Sequence, residues 1–145
     1  MRGREFIDTN VLVYAEDARD PRKQTRAIEL IQRLMRDRRG VLSLQVLQEF
    51  FAIATRKLAM ASEDARRRVV MYSRFDVVTL GPPDLLAAID LHRLHRLSIW
   101  DGLIVRAALN GACTKLYTED MQPGYVVDRV TLVNPFDGIG RDPRP

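Results

Sequence analysis

A single cysteine, Cys113, and two histidines are all the soft metal-binding capacity in 145 residues. One thiol cannot close an intramolecular disulfide or build a thiolate cage, so a disulfide-stapled scaffold and a cysteine zinc site are excluded. No apolar run approaches the roughly 18 residues a membrane helix needs, and no membrane partner is expected. The opening stretch, MRGREFIDTNVLVYA, meets Glu5 and Asp8 too soon for a secretory signal. A reducing cytoplasm is the location these absences imply. Lysine is scarce as well, with 3 against 20 arginines. Guanidinium groups bind phosphates bidentately and so suit a nucleic acid. A coding sequence rich in G and C produces the same bias, so charge alone gives only a weak preference for a polyanion.

What is present reads as one globular domain. Hydrophobic residues make up 46% and charged residues 29%, with a net charge of +4, which rules out disorder for the bulk of the chain. Turn signals fall at Asp20-Pro21, Arg39-Gly40, Gly81-Pro82-Pro83, Gln122-Pro123-Gly124 and Asn134-Pro135. Strands are expected over 4–8, 41–44, 75–80, 115–117 and 130–133. Helices are expected over 21–38, with Ile28, Ile31, Leu34 and Met35 on one face, and over 45–58, with Val46, Phe50, Ile53 and Ala54. Further helices are expected from Ser62, where Ser62 and Glu63 supply a cap, over 82–97, and over 98–110, ended by Gly111. Strands alternating with helices imply an α/β fold with a mostly parallel sheet of about five strands and helices on both faces. The domain is expected to span 1–136, with 137–145 a flexible tail.

In an open parallel sheet, ligands bind beyond the carboxyl ends of the strands. Four acids fall in such places, each in apolar company. Asp8 ends the first strand, Glu49 stands one turn beyond Gln45 on a helix, Asp101 lies early in its helix, and Asp120 follows the strand LYT. Each has an ordinary structural role open to it. Asp8 and Asp101 could cap helices, Glu49 could pair with Arg56, and Asp120 could shape a turn. Together at one sheet edge they would repel one another and call for a cation. Oxygen donors point to Mg2+ or Mn2+, ions that clamp phosphoryl oxygens and activate water.

The segments FIDTNVLVYA, SLQVLQEF, LSIWDGLIVRAAL, LYTED and VNPF, in that order from Phe6 to Phe136, resemble the PIN-domain nucleases. More narrowly, they resemble the VapC-type toxins of prokaryotic toxin–antitoxin pairs. The resemblance implies a ribonuclease that cleaves RNA phosphodiesters by attack of metal-activated water. It implies that Asp8, Glu49, Asp101 and Asp120 surround Mg2+, with Mn2+ as a substitute. Thr9 and Asn10 match positions that orient the first aspartate, and Thr118 matches the small hydroxyl residue before the last acid. Glu119 is the neighbour that could replace Asp120, though the Thr-x-Asp pattern favours Asp120. A homodimer and a cognate antitoxin lapping over the acids are also implied, and an arginine of that partner could sit among the carboxylates in place of the metal charge.

Competing readings are weaker. A phosphatase of the haloacid-dehalogenase type needs a second aspartate two positions after the first, and Asn10 stands there. A phosphate-accepting signalling domain needs paired acids that Glu5 and Asp8 do not supply. A non-catalytic RNA-binding module of the same fold is the remaining alternative. His92 and His95 have a zinc-compatible spacing but no third ligand, so a helix surface is expected there. Arg66, Arg67 and Arg68 could track an RNA backbone but read as a solvated face, Cys113 reads as a small core residue, and Trp100 could stack on a base but reads as buried beside the acids.

Overall fold

The computed structural model describes residues 3–139. Its strands are β1 (Arg4–Ile7), β2 (Gly40–Ser43), β3 (Asp76–Val78), β4 (Cys113–Tyr117), β5 (Val126–Val127) and β6 (Val130–Val133). Its helices are α1 (Thr9–Ala15), α2 (Pro21–Asp37), α3 (Leu44–Arg56), α4 (Ser62–Tyr72), α5 (Pro82–His95) and α6 (Ile99–Asn110). The six strands form one sheet in the order β3-β2-β1-β4-β6-β5, parallel except for the β5–β6 pair. The chain therefore steps outward from β1 to β3, crosses back beside β1 as β4, and continues outward on the other side. That reversal makes the gap between β1 and β4 the topological switch point. Right-handed crossovers then place α1–α4 on one face of the sheet and α5 and α6 on the other.

Local chemistry explains the element boundaries. Asp20 accepts a hydrogen bond from the Lys23 N–H ahead of Pro21, which starts α2. Ser43 and Ser98 cap α3 and α6 in the same way. At α4, Ala61 occupies the cap position without a side-chain bond, and Ser62 is the first helical residue. The expected Ser62 cap is therefore corrected; Glu63 and Asp64 favour that end through the helix dipole instead. The buried stripe of α2 is Ala27, Leu30, Ile31 and Leu34, one position round from the expected face, and Ile28 is exposed. Small Ala27 lets α2 approach the core more closely than Ile28 would.

Two elements lie outside the sequence-based expectation. Helix α1 follows β1 with only Asp8 between them, and β5 forms a hairpin with β6 through Asp128, at φ 53°. Residues 137–139 continue in turn-like backbone, with the Ile139 N–H bonded to the Phe136 carbonyl. The remainder of the expected tail, 140–145, lies outside the described residues. No helix among the described residues is long and apolar enough to cross a membrane.

Helices α5 and α6 press together at Gly102, the residue after Asp101. A Cβ added there would lie 2.8 Å from the Ala88 carbonyl oxygen, a backbone atom that cannot swing away. Gly102→Ala is expected to cost about 1–3 kcal/mol despite alanine's better helix propensity, because overpacking outweighs propensity. Chemical denaturation measures it; an unchanged midpoint would show that α5 yields freely.

Candidate active site

The switch point gathers the acids. Asp8 terminates β1, Asp120 follows β4, Glu49 sits in the second turn of α3, and Asp101 in the first turn of α6. Helix α6 runs into β4 and α3 runs out of β2, so both present their N-terminal ends at the carboxyl edge of the sheet. The two helical layers thus contribute one acid each and the central strands two. All four line one cleft of about 300 Å3.

Asp8 is buried and fully bonded. Its Oδ1 accepts from the Thr9 N–H at 2.7 Å, and its Oδ2 accepts from the Thr118 hydroxyl at 2.8 Å. Burial pushes its carboxyl up to about 7. The hydrogen bonds from Thr118 and Thr9 oppose that rise, and the charges of Asp120 and Glu49 add to it. Asp101 is also raised, by burial first, and again by Asp120 and Glu49. Its backbone N–H is tied to the Ser98 hydroxyl at 3.0 Å.

Neutral donors position the other two acids. Glu49 accepts from Gln45 Nε2 at 2.6 Å and from the Thr9 hydroxyl at 3.3 Å, rather than pairing with Arg56. Asn10 Nδ2 donates to Asp120 Oδ2 at 3.0 Å and to Thr118 Oγ1 at 3.3 Å. Asn10 therefore orients the last acid and not the first, while Thr118 links both ends. Glu119 lines the same cleft but is already paired: it accepts from Tyr14 Oη at 2.8 Å and pairs with Lys23 at 2.5 Å. That leaves Asp120 as the acid of this pair held by Asn10.

The structural readings of the acids hold in part. Asp8 is the N-cap of α1 as well as a cleft residue. Asp101 is not a cap; Ser98 is. Among the described residues, no three acidic, histidine or cysteine side chains are drawn together as a ready-made metal cage. The carboxylates of Asp8, Glu49 and Asp120 rest instead on the hydroxyl, amide or backbone donors named above.

Other side chains stand differently from expectation or were not anticipated. Trp100 is 65% exposed, contrary to the burial expected of it. It shares a face with Ile104 one turn on, but that first turn of α6 overhangs the cleft rather than a strand. Gln45 and Lys57 line the cleft too. Gln45 was signalled by its i,i+4 spacing from Glu49, and Ser98 by the Ser-x-x-Asp pattern of a helix start. His92 Nδ1 meets the Leu97 carbonyl and His95 Nδ1 the Tyr125 hydroxyl, as suits a helix surface. Arg67 pairs with Glu63 and Asp64, and Arg68 with Glu16, while Cys113 is buried.

A mostly parallel sheet with an acid-lined cleft at its switch point places the chain among α/β domains. The chain belongs to the PIN domain family, whose profile matches residues 6–124. No curated protein matches the sequence. Among solved structures, it resembles a chain from a toxin–antitoxin complex of Klebsiella pneumoniae, with TM-score 0.67 and 17% identity, over 91% of this chain and 98% of that one. It also resembles VapC20 of Mycobacterium tuberculosis, a Sarcin-Ricin loop cleaving toxin, with TM-score 0.63 and 19% identity, over 80% of this chain and 89% of that one.

Proposed function

We propose that this protein is an Mg2+- or Mn2+-dependent endoribonuclease acting as the toxin of a toxin–antitoxin pair. One observation carries the reading: in a PIN domain, four carboxylates from four elements line one cleft, where burial first, and then the charges of Asp120 and Glu49, raise Asp8 and Asp101. The donor set fits a hard divalent ion, since it offers only oxygen and no thiolate or imidazole. Asp8, Asp101 and Glu49 would hold the ion, and Asp120 a second ion or a water. When bound, such an ion supplies Lewis acidity toward a phosphodiester and lowers the pKa of water.

The chain's own residues would do the rest. Thr118 and the Thr9 N–H fix both oxygens of Asp8, so its outward lone pairs keep one direction. Gln45 and Thr9 steady Glu49, and Asn10 steadies Asp120. The likeness to a chain of a toxin–antitoxin complex supports a toxin's role with an antitoxin as its partner; a second copy of the chain is the other protein partner of this proposal.

Labelled total RNA tests the reading, incubated with antitoxin-free protein in Mg2+, in Mn2+ and in excess chelator. Fragments with 5′-phosphates should form with either metal and vanish with chelator. Binding of RNA without fragments under any metal would instead identify the non-catalytic module.

A further inference from the structure

The cleft does not end at its carboxylates. A second depression, of about 520 Å3, shares Asp101 and Asp120 with it and runs on to His95, Arg96 and Tyr125. Asp101 and Asp120 therefore stand where the two depressions meet, and together these make one trough. Trp100 and Lys57 line one arm, and Tyr125, His95 and Arg96 line the other.

The aromatic residues make this arrangement informative. Phe6, Phe50, Tyr72, Phe75, Tyr117 and Phe136 are buried, as a folding core requires. Among the described residues, Phe51, Trp100 and Tyr125 are the exposed aromatics, and two of the three line the trough. Trp100, at 65% exposure, leaves most of an indole in water, where it contributes little to folding.

Tyr125 is held ready. Its hydroxyl meets His95 Nδ1 at 2.7 Å, and the two rings stand edge to face at 79° with centroids 5.7 Å apart. Its backbone is tied on both sides, donating to the Gln122 carbonyl and accepting from the Leu132 N–H. The ring is thus fixed before any ligand arrives.

An exposed ring and a basic side chain in each depression, Trp100 with Lys57 and Tyr125 with Arg96, match one ligand chemistry. A nucleic acid strand alternates anionic phosphates with stackable bases, and stacking tolerates any sequence. A duplex has spent its base faces on itself, so only an unpaired strand fits. A protein partner would favour contiguous apolar surface; Leu94 is exposed in the second depression, but Gln45, Ser98, Asp101, Asp120 and Gln122 line the two depressions along with the rings.

We propose that Trp100 and the His95-tethered Tyr125 are two base-stacking stations that hold an unpaired RNA strand across the carboxylates. The proposal deepens the ribonuclease reading and rests on it. Both are positioning residues: they place the strand and take no part in the bond changes.

Trp100 is the chain's one tryptophan, so its emission reports this station directly. In excess chelator, where nothing is cut, a short oligoadenylate should quench that emission, and the same strand paired with oligouridylate should not. Trp100→Ala and Tyr125→Ala should each weaken binding of a dye-labelled oligoadenylate by roughly tenfold, measured by anisotropy. Trp100→Phe should retain most of the affinity. Tyr125→Phe keeps the ring but loses the His95 tether and should fall between. Both side chains are exposed, and matched melting curves check that the variants fold; the wild-type quenching decides if one does not.

Unquenched emission with unchanged affinities would overturn the stations, even if metal-dependent cleavage proceeds. Emission that responds only to a protein partner, or equally to the duplex, would overturn them too. Quenching by the single strand without cleavage in any metal would sink the nuclease reading and leave the stacking stations standing.

Discussion

Asp8→Asn is expected to lower RNA cleavage by on the order of a thousandfold or more while leaving the metal-free protein at least as stable at neutral pH. The two effects have one cause. In the fold, Asp8 is buried beside Glu49 and Asp120, and its carboxyl is raised from an ordinary 3.8 to about 7. Between those values the folded chain keeps a proton that the unfolded chain has lost. Wild-type stability in chelator should therefore fall as pH rises through this window, by up to about 1.4 kcal/mol per pH unit, and level off above it. Asparagine carries no charge, so the variant should lack this slope. The gap in its favour should be widest near pH 8 and close toward pH 4.

Metal should reverse the order. An ion that binds only the folded state raises the wild-type melting temperature and leaves the variant nearly unmoved. Melting curves across pH, with chelator and with Mg2+, check both halves. A variant that is less stable at every pH would make Asp8 first of all the cap of α1. Full cleavage by the variant would remove Asp8 from the site altogether.

Much of this site was legible because each acid breaks a local pattern. Asp8 interrupts an apolar run at a strand end, and Asp101 stands among Ile99, Trp100 and Leu103 at a helix start. Those are local facts that a sequence displays. The bonds that orient the acids are not local. Asn10 reaches Asp120 and Thr118 reaches Asp8 across more than a hundred residues, because the β1–β4 pairing brings Ile7 opposite Tyr117. Trp100 shows the same limit: periodicity gives its helix face but not that this turn overhangs a cleft. Strand β5 has two residues and a turn at Asp128 without glycine, too little for an alternating pattern to register. Helix α1 is hidden differently, since no separator beyond Asp8 divides it from β1.

Glu5, which no reading of the site needed, should give the largest loss of stability. Its side chain is 4% exposed, yet it carries charge into the sheet beside the switch point. Tyr117 Oη donates to it at 2.6 Å and Arg33 at 3.3 Å, Arg39 pairs with it at 3.2 Å, and Lys115 lies 4.0 Å away. Burial alone pushes its carboxyl up, but the bonds from Tyr117 and Arg33 and the charges of Arg33 and Arg39 outweigh it and hold it below 4.5. Glu5→Ala leaves the Tyr117 phenol without its acceptor and Arg33 without its charge partner, while Arg39 keeps Asp37 at 3.6 Å and the Gly3 carbonyl. The expected cost is about 3–5 kcal/mol, the range for breaking a buried charge network from one side. Glu5→Gln, which still accepts from Tyr117, should cost less. Because the carboxyl is depressed in the fold, its contribution is complete above 4.5 and is lost as pH falls through the folded value, so both variants should show a shallower acid limb. The consequence reaches the cleft, since Tyr117 immediately precedes Thr118, whose hydroxyl holds Asp8. Equilibrium urea denaturation between pH 3 and 7 measures all of this, and a loss no larger than the roughly 0.5 kcal/mol typical of surface substitutions would show that Glu5 does not pin β1 to β4.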